Sequence, residues 1–141
     1  MRTKVYFGGK PCVQSVATVM ARAVQQNSEP LPPSYMPEGL AVAFIGSSDK
    51  GGKPTKEVLD FIGIIDPKRV SRACIFATSG NGDATKVLDG MRSALTAKGI
   101  QVLDKTFMCH GKGSIGGKMP DDAELKKAEE FIKDVVKDFT D

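Results

Sequence analysis

Apolar residues follow two patterns along the chain, in which short apolar runs alternate with longer segments of helical spacing. The runs lie at 5–7, 40–45, 70–77 and 100–108, and an apolar stripe with three- and four-residue spacing follows each of them. The runs indicate strands and the stripes indicate helices. Alternating strands and helices imply right-handed parallel crossovers, so the pattern predicts a three-layer, doubly wound α/β domain with a parallel sheet.

Turn and capping residues suggest where three of the helices begin. Pro54 suits the first position of the second helix, and Pro67 follows the end of that helix. Asp83 is predicted to be the N-cap of the third helix. Asp121 and Glu124 have the spacing of a capping box at the start of the fourth helix.

The segment 25–39 has a different composition, because it carries prolines at positions 30, 32, 33 and 37. Proline cannot donate a hydrogen bond to a sheet, so any strand in this segment is predicted to be short and to lie at a sheet edge. The sequence shows no internal repeat and no linker. We therefore predict one domain that spans residues 1–141.

In a parallel sheet of this kind, ligands usually bind in the loops that follow the strands. The first of these loops, Gly8–Val13, runs from a strand into a helix, so its backbone N–H groups and the helix dipole favour an anion, and Lys10 adds positive charge. Pro11 removes one donor, and glycines after a strand often only form a turn. Anion binding and a plain turn both remain open for this loop.

The second loop, 46–55, resembles a Walker A motif but has Pro54 where a magnesium-binding Ser or Thr belongs, which argues against an NTPase. The three cysteines are widely spaced and predict neither a disulfide framework nor a zinc site. Cys12 lies at a helix N-terminus, where it is either a reactive thiol or an inert small side chain, whereas Cys74 belongs to the core. No catalytic residue and no metal ligand is predicted.

Charge and hydropathy restrict the partners. The chain has 20 Lys and Arg against 17 Asp and Glu, a net charge of +3, and these charges are scattered along the chain. No basic block predicts nucleic-acid binding. No apolar segment has the length of a signal peptide's apolar region or of a membrane helix, so we expect a cytoplasmic protein without a membrane partner.

Several segments together resemble the flavodoxins, and the likeness covers nearly the whole chain. They are 4–7, Gly46-Ser47 with 52–54 and 58–61, 76–80, 107–112, and 120–122 with Ala128 and Phe131. The resemblance implies a five-stranded parallel sheet in the order 2-1-3-4-5, with FMN at the switch point between strands 1 and 3. It also implies electron transfer to and from a redox partner protein.

Candidate FMN-binding residues lie in three loops. They are Gly8, Gly9, Lys10, Cys12, Val13, Ser47, Ser48, Thr78, Ser79 and Gly80, of which the resemblance itself assigns Ser47, Thr78, Ser79 and Gly80. The flavodoxin phosphate loop is rich in hydroxyls, but the matching loop here, Gly8–Val13, has none. The flavodoxin loops that bind the flavin ring carry aromatic residues, but the matching loops here, 48–51 and 78–83, have none. The sequence therefore leaves two hypotheses: an FMN-binding electron carrier whose backbone amides replace the missing hydroxyls, and a flavin-free scaffold that binds another small anionic ligand or a protein partner.

Overall fold

The computed structural model describes residues 2–9, 11–111 and 120–138. Six strands and four helices are found there. In chain order they are β1 (Thr3–Gly8), α1 (Pro11–Ala23), β2 (Ser28–Pro30), β3 (Leu40–Ser48), α2 (Lys56–Ile64), β4 (Val70–Ser79), α3 (Thr85–Ala97), β5 (Gln101–Val102), β6 (Phe107–His110) and α4 (Asp122–Lys137). Within these ranges, no helix combines the length and the apolar content that crossing a membrane requires.

The strands form a single parallel sheet in the order β2-β1-β3-β4-β5, and β6 pairs with the later part of β4. The predicted order 2-1-3-4-5 is confirmed. The proline-rich segment contributes only the three-residue edge strand β2, which pairs with Val5, Tyr6 and Phe7 of β1. Its prolines limit its length, since each removes a donor that a longer ladder would need.

The fifth strand is interrupted, so the prediction of one continuous strand over 100–108 is wrong. Ala73 pairs with Val102 and Phe76 pairs with Phe107, so the β5–β6 segment is two residues longer than the stretch of β4 opposite it. Within the interruption the Leu103 N–H still donates to the Ala73 carbonyl of β4 at 2.9 Å. The Lys105 Nζ lies 2.9 Å from carboxylate oxygens of both Asp134 and Asp138 on α4.

Side chains on the two faces of the sheet form two separate cores, which gives the three predicted layers. Tyr6, Ile45 and Ile75 face α2 and α3, while Val5, Phe44 and Cys74 face α1 and α4. The faces alternate because successive strand residues point to opposite sides of a sheet. Cys74 is fully buried, as predicted.

The structure corrects one helix start. α2 begins at Lys56, with Thr55 as the N-cap, so Pro54 lies before the helix and not at its first position. The Thr55 hydroxyl accepts a hydrogen bond from the Val58 N–H, and this bond supplies one of the partners that the first helical turn lacks. Pro67 follows the last helical residue, Ile64, after a short gap.

The starts of α3 and α4 also differ in detail from the prediction. The N-cap of α3 is Ala84, yet the Asp83 carboxylate still accepts a hydrogen bond of 3.1 Å from the Thr85 N–H. Asp121 caps α4 as predicted, accepting a 2.9 Å hydrogen bond from the Glu124 N–H. The Glu124 side chain accepts a hydrogen bond from His110 on β6, so the reciprocal half of the predicted capping box is wrong.

Candidate functional site

Because β1, β3, β4 and β6 are parallel, the loops that follow them meet at one edge of the sheet. The first two loops touch at Gly9 and Ser48. A Cβ atom on Gly9 would lie 2.0 Å from the Ser48 Oγ, and the φ angle of Gly9 is +125°. Only glycine fits this contact, because any side chain would collide with Ser48 and strain the backbone.

A cleft of about 620 Å³ opens between the loops after β3 and β4. This volume lies within the ~300–1,000 Å³ typical of small-molecule sites. One wall is the turn at Asp49, Gly51 and Gly52. The other consists of the β4–α3 loop and the first turn of α3, with Ser79, Asn81, Asp83, Ala84, Thr85, Lys86 and Val87.

Hydrogen bonds tie the two walls of the cleft together. The Ser79 hydroxyl lies 3.0 Å from Asp49 Oδ2 and 3.1 Å from Asn81 Oδ1, and it can donate to either oxygen. The other oxygen of Asp49 accepts from the Gly52 N–H at 2.6 Å. The Asn81 oxygen also accepts from the Asp83 N–H at 2.9 Å. The cleft is therefore held in shape by its own polar groups.

The cleft carries charges of both signs. The Thr85 hydroxyl, followed by the Thr85 N–H and the positive charge of Lys86, lowers the pKa of Asp83 below its ordinary value. Asp83 is thus an anion at neutral pH, beside the cationic Lys86. Across the described ranges, no group of three His, Cys, Asp or Glu side chains is arranged to hold a metal ion.

A second feature lies where α1 begins. Thr78 is 1% exposed, and its buried Oγ1 has no hydrogen-bond partner among the described residues. A Cβ atom on Gly111 would lie 2.8 Å from that Oγ1 and 2.9 Å from the Cβ of Cys12. The unpartnered hydroxyl therefore lies close to the first turn of α1. Buried hydroxyls almost always have a partner, so this one needs an explanation.

The thiol groups at this edge are not activated. Burial raises the pKa of Cys12, which favours the inert side chain over the reactive thiol, the two possibilities that the sequence leaves open. Burial, followed by the charges of Glu124, Cys12 and Asp121, raises the pKa of Cys109 to about 12. Both side chains therefore remain protonated thiols, which are poor nucleophiles.

His110 lies at the end of β6, and its side chain is 44% exposed, whereas the neighbouring Cys109 is buried. The two side chains thus point to opposite faces, as expected on a strand. The His110 ring lies against Gly82 of the β4–α3 loop, and its Nδ1 lies 3.3 Å from Glu124 Oε2.

Two of the candidate residues have roles inside the protein. The Ser47 hydroxyl is fully buried, donates to the Ser48 carbonyl at 2.8 Å and accepts from the Thr55 N–H at 3.0 Å. It thus fixes the start of α2 and has no direct access to a ligand. The Val13 side chain packs in the core, so Val13 can offer a ligand only its backbone.

The other candidates lie at the site edge. Gly8 packs closely against Val58 and Thr55, and Gly80 is exposed with open space around it. Ser48 and Ser79 border the loops that form the cleft. Lys10 lies outside the described residues.

The sequence analysis missed the polar residues that shape the cleft, namely Asp49, Asn81 and Lys86, and the contact of His110 with Glu124. Asp49 follows directly after β3, and Asn81 comes two residues after β4. Short polar side chains just beyond strand ends commonly bond nearby backbone groups. That position was the available signal for Asp49 and Asn81. The His110–Glu124 contact joins distant segments, and the sequence carries no signal for it.

Comparison with known proteins identifies the fold. No protein-family model matches the sequence, and no curated protein matches it. Among solved structures, a flavodoxin from the domain Archaea superposes with a TM-score of 0.76 at 12% identity, over 98% of each chain. A short-chain flavodoxin associated with a non-canonical PDU bacterial microcompartment gives 0.72 at 13% identity, over 99% of this chain and 100% of that chain. Flavodoxin 2 from Bacillus cereus gives 0.68 at 12% identity, over 98% of this chain and 99% of that chain. With the strand order and the cleft described above, these matches over the full chain show that the protein has the flavodoxin-like fold.

Proposed function

We propose that this protein binds FMN at the carboxyl edge of its sheet and exchanges electrons with a redox partner protein. The observation that carries the proposal is the cleft of about 620 Å³ between the loops after β3 and β4. In doubly wound folds, ligands bind at this edge of the sheet. The likeness to solved flavodoxins over almost the whole chain supports the same proposal.

The start of α1 suits the phosphate group of FMN. The N–H group of Val13 belongs to its first turn, and the helix dipole there favours anions. The unpartnered hydroxyl of Thr78 lies beside this turn and can donate one more hydrogen bond. These donors fit a phosphate group without the hydroxyl-rich loop of the flavodoxins.

The cleft offers both polar groups and apolar surface to a flavin ring. Ser79 and Asn81 offer a hydroxyl and an amide, while Gly51, Gly52 and Val87 offer a small apolar surface. No aromatic side chain lines the cleft in the part of the chain that is described. The ring would therefore bind without aromatic stacking, which is worth about 0.5–1.5 kcal/mol per pair. FMN, when bound, would supply the redox chemistry, and the chain would orient it and limit its contact with water.

The direct test is a fluorescence and absorbance titration of the purified protein with FMN and, separately, with riboflavin, which lacks the phosphate group. We expect saturable binding of both, with FMN bound more tightly because the α1 N-terminus and Thr78 bind its phosphate. Equal affinities would contradict the phosphate site. Absence of binding by both would contradict the proposed function.

A pair of charge-reversal variants locates the binding site. Lys86 is exposed and lines the cleft, whereas Lys126 is exposed on α4. Lys86→Glu is expected to weaken FMN binding by about three- to tenfold at low salt, because it places a negative charge beside the anionic ligand. Lys126→Glu makes the same change in net charge and should leave the affinity unchanged. Equal effects of the two variants would indicate nonspecific attraction.

A second candidate function is a flavin-free scaffold that binds another small anion. Two observations favour it. The described lining of the cleft has no aromatic residue, and the Ser47 hydroxyl is bonded to Ser48 and Thr55 and so does not reach a ligand. In that case FMN and riboflavin would both fail to bind. Inorganic phosphate would still shift the amide NMR signal of Val13, since its N–H lies in the first turn of α1, where the helix dipole favours an anion.

The net charge of +3 bears on the redox partner. We propose a cytoplasmic partner protein that is not basic, because two proteins with a surplus of positive charge repel each other at low salt. Electron-transfer rates measured against ionic strength test this point. A rate that falls with added salt indicates an acidic partner surface, and a rate that rises contradicts the proposal.

A further inference from the structure

His110 is the single histidine of the chain and joins two segments at the site edge. On one side, its backbone N–H donates a 2.8 Å hydrogen bond to Glu124 Oε2 of α4, and its Nδ1 lies 3.3 Å from the same oxygen. The Glu124 side chain is 16% exposed, and its other oxygen is buried and receives no hydrogen bond from residues 2–9, 11–111 or 120–138. A mostly buried carboxylate thus faces an imidazole.

On its other side, the His110 ring lies against the backbone of Gly82. A Cβ atom on Gly82 would lie 2.7 Å from Cε1, 2.8 Å from Nε2 and 3.1 Å from Nδ1 of the ring. Three similar distances mean that the ring face covers this glycine. Gly82 has a φ angle of +83° and lies between Asn81 and Asp83, which both line the cleft. His110 therefore supports one wall of the cleft from behind.

We propose that His110 is a positioning residue for the cleft, and that its protonation by solvent fixes the β4–α3 loop. An imidazolium donates from both nitrogens, so Nδ1–H forms a charge-assisted bond with Glu124 and the ring stays on Gly82. When the proton leaves, a neutral ring with hydrogen on Nδ1 still donates to Glu124, but the bond is no longer charge-assisted. The half-exposed ring is then held less firmly on Gly82.

The charges on the segments that pack against His110 are mostly negative. In the described part of the chain, the negative charges belong to Asp121, Asp122 and Glu124 at the start of α4 and to Asp83 in the β4–α3 loop. The positive charge is that of Lys86 on α3, which acts on Asp83. The neighbouring residue Cys109 is a thiol. Glu124 is the carboxylate in direct contact with the ring. The bond to Glu124 is strongest while both ring nitrogens carry hydrogen, so the loop should loosen as the pH is raised.

The loop can be measured without a ligand, by water-exchange NMR of backbone amides from pH 5.5 to pH 8. The Gly82 N–H donates to the Ser79 carbonyl at 3.1 Å, and the Gly99 N–H donates to the Thr96 carbonyl at 2.9 Å in a turn after α3. Protection of Gly82, corrected for the intrinsic exchange rate, is expected to fall about threefold or more as the pH rises. Protection of Gly99 should stay constant.

Two variants assign the effect. His110→Gln and Glu124→Gln should each give a Gly82 protection that is independent of pH, and either one suffices if the other fails to fold. A Gly82 protection that does not change with pH in the wild-type protein would overturn the proposal. So would a pH dependence that persists in His110→Gln.

The link to ligand binding rests on the proposed function and is tested with riboflavin, which has no phosphate to titrate. Its affinity should fall with the Gly82 protection between pH 5.5 and pH 8, and should be constant in His110→Gln. Riboflavin binding that ignores pH while the loop responds would overturn the link. If riboflavin and FMN both fail to bind, the proposed function fails, and the amide measurement alone decides whether His110 positions the loop.

Discussion

Replacing Thr78 with valine should stabilise the ligand-free protein. The Thr78 side chain is 1% exposed, and its buried Oγ1 has no hydrogen-bond partner in the described part of the chain. Valine has nearly the same shape but replaces the hydroxyl with a methyl group. The variant therefore removes a buried polar atom that lost its water on folding and gained no bond in return.

The expected size follows from the cost of an unsatisfied buried group, which is about 1–3 kcal/mol. The gain in stability should be smaller than this full cost, because the new methyl group must fit beside Gly111 and Cys12, which lie close to the hydroxyl. We expect the free energy of unfolding to rise by about 1 kcal/mol. For a domain of this size, that corresponds to an increase in Tm of roughly 3–5 °C.

The same substitution should weaken ligand binding. If the Thr78 hydroxyl donates to the phosphate of FMN, its loss removes a charge-assisted bond worth about 1.5–3 kcal/mol, or roughly ten- to a hundredfold in affinity. Riboflavin affinity should change little. A variant that gains stability and loses affinity for FMN would show that this hydroxyl is kept for a ligand.

Thr55→Val is the matched control, because Thr55 is also buried and its hydroxyl has a partner. That hydroxyl accepts the Val58 N–H as the N-cap of α2, so its loss should cost about 1 kcal/mol. Urea unfolding at pH 7 without ligand compares the two variants. If Thr78→Val destabilises the protein as much as Thr55→Val does, the Thr78 hydroxyl has a partner in the ligand-free protein and the reasoning is refuted.

Three further predictions follow from packing and burial. Gly63→Ala, in open space on α2, should stabilise the protein by about 0.5–1 kcal/mol. Gly46→Ala should instead destabilise it by about 1–3 kcal/mol or more, because the new Cβ would lie 2.1 Å from the Phe76 ring. Urea unfolding measures both changes. Burial, followed by the charge of Glu29, raises the pKa of Tyr6 to about 12. The free energy of unfolding should therefore fall between about pH 10 and pH 12, where Tyr6 ionises only in the unfolded state. Tyr6→Phe should remove this loss. Iodoacetamide at pH 7.5 should alkylate native Cys12 at least about tenfold more slowly than a small thiol, and an equal rate would contradict its burial.

The layers of the fold could be predicted from the sequence because they depend on local patterns. Continuous apolar runs require strands covered on both faces, and β3 and β4 are such strands. The prolines between 30 and 37 restrict β2 to the edge for a reason that needs no tertiary information. The interruption between β5 and β6 could not be predicted, because it is a difference in register against β4, which only the paired strands reveal.

The candidate site was predictable in its location and less so in its chemistry. Strand ends locate the loops, so the sequence predicts Ser48, Thr78 and Ser79 at the carboxyl edge of the sheet, where the structure has them. The part each hydroxyl plays depends on its neighbours: Ser47 bonds the Thr55 N–H, Ser79 bonds Asp49, and Thr78 has no partner among the residues described. Sequence likeness treats these hydroxyls alike, and only their contacts distinguish them.

Contacts between the loops determine how the edge can bind a ligand. Gly9 lies on Ser48, Ser79 bonds Asp49, and the Ser79 carbonyl accepts the Gly111 N–H at 2.8 Å, so each loop is joined to the next without any ligand. Ordering a mobile loop on binding costs affinity, and loops that are already joined avoid most of that cost. A site with few hydroxyls and no stacking aromatic in its described lining can therefore still bind, provided that its shape is fixed beforehand. Breaking one link, as Ser79→Ala would, should then weaken binding even where the lost hydroxyl does not touch the ligand.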